Sequence, residues 1–279
     1  MKISRFMKAF QSDYFNFGIA NRFHSRMKLN SVLYAKQKSR SQFDLDDEDM
    51  MGERVSGETV YVMDSNCSIE RKLLSEVLAE RRSSLFREMN SDWTKFDLFS
   101  LLHHALGVTA AKEIVFFPTP GESYNYVLNH RAYPSGGGIY PIEHYIYSRG
   151  IDGIEDGLYR FHPDSSVLSR EADPIDDHQL EAFFPMTTYK DDVNTESLYQ
   201  VKALMFMVSN YKHSSQKYGL LAYKLALLEA GHIGQNIQLC ATALSKKTAL
   251  LCGYYEDTVE RFLGLDPAHK NCLYIIALG

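Results

Sequence analysis

Residues 131–147 read Arg131-Ala-Tyr-Pro-Ser-Gly-Gly-Gly-Ile-Tyr-Pro-Ile-Glu-His-Tyr-Ile-Tyr147, a glycine-rich loop running straight into an apolar, aromatic and β-branched segment. The second half has the chemistry of a buried strand, and Gly157-Leu-Tyr-Arg-Phe161 reads as its hairpin neighbour. Further out, residues 203–209 (ALMFMVS) form a short apolar run fit for a central strand, and residues 273–278 (LYIIAL) supply another. Between these runs, residues 219–244 predict the strongest helix. Leu221, Leu225, Leu228, Ile233, Ile237 and Leu244 form its apolar stripe, and Gly231 and Gly234 open a close-packing face. Glycine inside a helix costs about 1 kcal/mol against alanine, which asks for a packing or ligand reason. Upstream, residues 69–82 (IERKLLSEVLAERR) place Ile69, Leu73, Leu74, Val77 and Leu78 at helical spacing. A second helix is expected over residues 96–106, with Asp92 and Thr94 as candidate caps and Gly107 as its stop. Residues 112–129 carry β-branched and aromatic residues broken by Pro118, Pro120 and Gly121, a pattern of strand pieces and turns. Helices alternate with strands too few and too separated for an all-β fold, so the core is of mixed α+β class.

Composition bounds the function. Of 279 residues, 45% are hydrophobic and 23% charged, which excludes wholesale disorder. Thirty Lys and Arg against 35 Asp and Glu give a net charge of −5, against a dedicated nucleic-acid binder. No apolar stretch is long enough to span a membrane, and the start, MKISRFMKAFQSDYF, lacks the apolar core of a secretory signal. Cys67, Cys240, Cys252 and Cys272 are scattered without a C-x-x-C pair, so neither a disulfide framework nor a structural zinc is expected. These features together predict a soluble, reduced, cytoplasmic protein. Residues 1–66 are polar and include the acidic run 44–49 (DLDDED); they read as an N-terminal extension for docking or dimer contacts, ahead of a domain over 67–279.

Four short motifs can carry chemistry. Arg81-Arg82-Ser83-Ser84 offers two guanidinium forks and two hydroxyls to a phosphate, or simply caps a helix C-terminus with positive charge. Pro134-Ser-Gly-Gly-Gly-Ile-Tyr-Pro141 lacks both the G-K-[ST] of a phosphate loop and the helix that opens after a dinucleotide fingerprint. Its glycines allow a backbone to approach a flat ring closely, or form a plain turn. In Lys217-Tyr218-Gly219 the lysine favours a phenolate usable as a base, although neighbours on a helix also point in different directions. Cys252-Gly-Tyr-Tyr-Glu-Asp257 is a turn able to offer backbone N–H groups, or a simple strand-to-helix connection. The histidines form no H-x-x-x-H or H-E-x-x-H pattern, and no G-x-S-x-G elbow supports a serine triad.

In this order the motifs resemble the nitroreductase-like flavoproteins, and more narrowly the SagB-type dehydrogenases, the azoline oxidases of heterocycle-forming peptide synthetases. The resemblance rests on Arg81-Arg82-Ser83, the segment from Arg131 to Glu143, Lys217-Tyr218-Gly219, Glu229-Ala-Gly-His-Ile-Gly-Gln-Asn236 and Gly253-Tyr-Tyr-Glu-Asp257, with Asn21-Arg-Phe-His24 and Lys28 near the start. It implies a central, mostly antiparallel sheet flanked by helices, and a homodimer holding FMN between subunits. By the same resemblance Arg81, Arg82 and Ser83 would hold the FMN phosphate. Pro134, Ser135, Gly136 and Gly137 would face the isoalloxazine edge, Gly253 and Tyr254 would lie near flavin N5, and Lys217 and Tyr218 would be catalytic. Leu85 stands where many nitroreductases carry a basic residue, and the sequence stops at Gly279 without the basic tail that completes the phosphate site in many relatives, so another arginine, with Arg131 the candidate, or the partner subunit is the expected substitute. The implied activity is oxidation of peptidyl thiazolines or oxazolines to azoles, with an azoline peptide as substrate and a cyclodehydratase as partner. An NAD(P)H-dependent nitro or quinone reductase, and a structural flavoprotein subunit, are the rival expectations.

Overall fold

A computed structural model describes residues 17–28, 58–63, 67–116, 123–185 and 198–279. The acidic run 44–49 and the breakers Pro118, Pro120 and Gly121 lie outside the described residues. The elements run α1 (Phe17–Arg26), β1 (Glu58–Val62), α2 (Leu74–Glu80), α3 (Lys95–Leu106), β2 (Val108–Phe116), β3 (Tyr124–Arg131), β4 (Ile142–Ser148), β5 (Gly157–His162), β6 (Val167–Ala172), α4 (Asp177–Glu181), β7 (Ala203–Asn210), α5 (Tyr211–Tyr218), α6 (Leu221–Ala243), β8 (Thr248–Leu251), α7 (Glu256–Phe262) and β9 (Lys270–Leu278).

Seven strands form one sheet in the order β1-β6-β5-β4-β7-β9-β8, and every neighbouring pair is antiparallel. The segment carrying β1, within the extension read from the sequence, pairs with β6 at the sheet edge. β2 and β3 make a separate two-stranded ribbon. Alternation along the central strands feeds two cores. Ile142, Ile146, Met205, Met207, Ile276 and Leu278 face α3 and α6, while Tyr145, Tyr147, Leu204, Phe206, Ile275 and Ala277 face α4 and α7. With both faces covered, β4 is buried throughout, including its polar Glu143, His144 and Ser148.

Local chemistry sets the helix ends. Thr94 caps α3: its Oγ1 accepts from the Asp97 N–H at 3.2 Å, Asp97 Oδ2 accepts from the Thr94 N–H at 3.0 Å, and Gly107 closes the helix. Two readings of the sequence need correction. The helix predicted over 69–82 is confined to Leu74–Glu80, and Leu73, Leu74 and Leu78 are 66%, 66% and 51% exposed, with Val77 buried. On α6 the buried stripe is Ala222, Ala226, Ala230, Ile233, Ile237 and Ala241, whereas Leu228 faces outward. Small residues win the inner face because α3 packs closely against it. Gly234 lies against Leu250 and Tyr274, but among the described residues nothing approaches a β-carbon placed at Gly231.

Candidate functional site

The glycine-rich loop and the Lys-Tyr pair meet because they spring from one end of two adjacent strands. β4 begins directly after the loop, and β7, its antiparallel neighbour, ends where α5 begins. The Asn210 N–H donates to the Pro141 carbonyl at 2.8 Å, which ties the two exits together. Asn210 also caps α5 by accepting from the Lys212 N–H. The last turn of α5 then carries Lys217 and Tyr218, and Gly219 ends it at φ +55°.

At the loop, Gly137 (φ +68°) and Gly138 (φ +67°) adopt the left-handed conformation that glycine takes freely. A β-carbon at Gly137 would collide with Tyr218 Oη and lie 3.0 Å from Lys217 Nζ. Lys217 Nζ stands 5.3 Å from the Tyr218 ring centroid. The two adjacent side chains therefore converge on one glycine. Gly136 sits against Leu225 of α6, and Pro134 and Ser135 line a cavity of about 420 Å³ with Leu128, Arg131, Tyr133 and Tyr140.

Ser135 is the loop's anchor. Its hydroxyl donates to Glu229 Oε2 at 2.5 Å and accepts from the Tyr140 N–H at 2.9 Å. Glu229 is 2% exposed on α6. Burial pushes its pKa from 4.5 up to about 7, against the opposing pull of the Ser135 hydroxyl, the Arg131 charge and the Ile142 amide. A carboxyl whose folded pKa is raised binds its proton more tightly folded than unfolded. Its burial therefore weakens the fold as pH climbs from about 4.5 to about 7, by about 3 kcal/mol in all. Thermal melts should show the wild type losing ground to Glu229→Gln between pH 5 and pH 8. A pH-independent gap between the two would refute this account.

Of the other expected site residues, Arg131 shares the cavity and the rest lie away from the loop. The Arg131 guanidinium donates to Asp164 Oδ2 at 2.8 Å and to Tyr133 Oη at 3.2 Å, and stacks 4.8 Å from the Tyr140 ring centroid, with its side chain 7% exposed. It braces the loop from below and is committed to Asp164. Arg81 Nη1 donates to Gln238 Oε1 at 3.3 Å, and Gln238 Nε2 donates to Ser83 Oγ at 3.2 Å, so one buried glutamine of α6 sets Arg81 and Ser83 side by side. Arg82 turns back onto the Ala79 and Arg81 carbonyls at the end of α2. Tyr254 is buried with its hydroxyl donating to the Cys272 carbonyl at 2.9 Å; Gly253 beside it is exposed. Glu229 and Gln238 escaped the sequence reading as site residues. Both were signalled by polar side chains falling inside the buried stripe of α6. They stand about 13 Å apart along the helix axis. Among the described residues no cluster of His, Cys, Asp and Glu could hold a metal ion, and no helix is long and apolar enough to cross a membrane.

An antiparallel sheet packed on a long buried helix, with this loop at the strand exits, is the nitroreductase-like α+β class. Residues 78–279 match the Nitroreductase family, and the chain belongs to it. A protein of Methanocaldococcus jannaschii named as a nitroreductase is 26% identical over 196 residues, 70% of this chain and 86% of that protein. The microcin B17-processing protein McbC of Escherichia coli is 26% identical over 140 residues, 49% of either chain. Among solved structures, a nitroreductase of Anabaena variabilis aligns at TM-score 0.61 and 22% identity, over 93% of this chain and 46% of that one. A chain of the E. coli microcin synthetase McbBCD complex, solved with truncated pro-MccB17 bound, aligns at TM-score 0.56 and 20% identity, over 100% of this chain and 97% of that one. This chain thus matches about half the length of McbC in sequence and about half of the Anabaena protein in structure.

Proposed function

We propose that this chain is an FMN-dependent dehydrogenase that oxidises azoline rings of a peptide to azoles. The observation that carries the reading is the convergence of Tyr218 Oη and Lys217 Nζ on Gly137. The donor set fits FMN. Arg81 and Ser83, aligned by Gln238, suit a phosphate, and the backbone of the Ser135–Gly137 loop suits the edge of a flat ring. The exposed Gly253 turn is a further backbone contact in this reading, with Tyr254 serving as its buried anchor. When bound, FMN supplies the two-electron acceptor. Tyr218 takes the ring proton made acidic by the neighbouring carbonyl and imine, and the Lys217 ammonium stabilises the negative charge that develops. The similarity to McbC supports a peptide substrate. The fold shared with a chain of McbBCD supports assembly with a cyclodehydratase.

The test is to load the purified protein with FMN and incubate it with an azoline peptide in air. Loss of two hydrogen atoms per ring by mass spectrometry is the expected result. The similarity to the M. jannaschii protein favours a second reading, an NAD(P)H-dependent reductase of nitro compounds or quinones. Rapid bleaching of the flavin by NADPH, with the peptide unchanged, would decide for that reading.

The same reading includes a homodimer. Leu74 and Leu78 on α2, and Leu227 and Leu228 on α6, are exposed apolar side chains, and among the described residues nothing approaches a β-carbon placed at Gly231 of α6. Glycine at an exposed helix position costs about 1 kcal/mol against alanine, a cost explained where a second helix must approach. Sedimentation of Leu228→Glu should give a monomer where the wild type gives a dimer. A wild-type monomer would end this part of the reading.

A further inference from the structure

We infer that Glu229 is a positioning residue, holding the glycine-rich loop through Ser135 so that Gly137 fixes the placement of the Tyr218 hydroxyl beside Lys217. This rests on the reading of Lys217 and Tyr218 as the reacting pair. The loop is not a shape its own backbone prefers. Gly137 and Gly138 are left-handed, and Tyr140 sits at φ +52°, where a bulky L-residue is strained. Such a conformation persists when its surroundings over-determine it. The Ser135 hydroxyl does this by bridging the Tyr140 N–H at the far end of the turn and the Glu229 carboxyl on α6. One turn earlier on α6, Leu225 lies so close to Gly136 that a β-carbon placed there would be 3.1 Å from Leu225 Cδ1. The loop is thus clamped between α6 on one side and Lys217 and Tyr218 of α5 on the other.

A purely structural demand would be met by an apolar side chain. Glu229 lies in a stripe of alanines and isoleucines, and burying a carboxyl there is unfavourable unless its hydrogen bond serves a purpose. At 2.5 Å the Ser135 hydroxyl is held at the short end of the range for an O–H···O hydrogen bond. Its energy is delivered to the turn that carries Gly137.

The test compares Glu229→Leu, Glu229→Gln, Ser135→Ala and the double variant Glu229→Leu/Ser135→Ala with the wild type. Two readouts are used: kcat and KM for an azoline peptide with FMN-loaded protein, and hydrogen exchange of the residue 135–140 amides in the protein as purified. Glu229→Leu should lower kcat about 10–100-fold with little change in peptide KM, because a displacement near 1 Å suffices for such a loss. It should also speed exchange at the Tyr140 amide. Glu229→Gln keeps an acceptor for the Ser135 hydroxyl and should restore most of both. Ser135→Ala should match Glu229→Leu, and the double variant should lose no more than either, as expected of two halves of one interaction. Additive losses, or an unchanged kcat and unchanged Tyr140 exchange in Glu229→Leu, would overturn the inference. Should Glu229→Leu fail to fold, Ser135→Ala and Glu229→Gln carry the same comparison. A wild type that neither binds FMN nor oxidises the peptide removes the proposed function, and the exchange data then decide the clamp alone: faster exchange in Ser135→Ala sustains it, equal exchange overturns it.

Discussion

Tyr218→Phe is expected to lower azoline turnover by about 10²–10⁴-fold, the usual worth of a positioned general base, while FMN affinity and melting temperature stay near wild type. The phenyl ring remains to fill its place at the end of α5, and the hydroxyl that meets Gly137 is lost. Lys217→Met should also impair turnover, since the charge beside the phenol goes with it. The informative quantity is the kcat of each variant with flavin occupancy measured on the same sample. A Tyr218→Phe protein with near-normal azole formation would remove the tyrosine from the chemistry.

The second large effect is steric. Gly137→Ala adds a methyl group where Tyr218 Oη already stands, at a backbone angle of φ +68°. An L-residue in that region costs about 1–2 kcal/mol by itself, so either the turn unwinds or the tyrosine moves away. Displacing the reacting group by about 1 Å costs on the order of 10²-fold in rate, and the peptide KM should change much less. Gly136→Ala is the control. Its added methyl meets Leu225, whose flexible end can yield, and its φ is not positive. Equal losses from the two substitutions would contradict the geometry.

Much of this architecture was legible in local sequence. β4, β5, β7 and β9 show through their aliphatic and aromatic residues, although Glu143 and His144 interrupt β4 and Arg160 interrupts β5. Thr94, Asp97 and Gly107 mark α3 because capping is a matter of adjacent residues. The shortened α2 and the displaced stripe of α6 were not legible. Leucines at helical spacing report an apolar face without saying what covers it, and here alanines line the inner face of α6 while Leu227 and Leu228 remain outside. The site divides in the same way. Lys217-Tyr218 and the glycine-rich loop are visible as motifs, but their meeting depends on β4 pairing with β7. Arg131 reads as a free cation until Asp164 is brought to it by the fold, and Tyr254 reads as a turn residue until its ring is found inside the second core. Each of these depends on a partner distant in sequence, which no local pattern announces.

The tie between Pro141 and Asn210 also bears on how this protein can change over time. The glycine-rich loop and α5, which carries Lys217 and Tyr218, leave from a single backbone junction, so the starting points of both are inherited from strand pairing. Drift in the two cores then alters how long the molecule survives, not where the loop and α5 set out. The ribbon of β2 and β3 stands outside the main sheet, yet Leu128 and Arg131 of β3 reach the loop, so the constraint on the site extends to that ribbon as well.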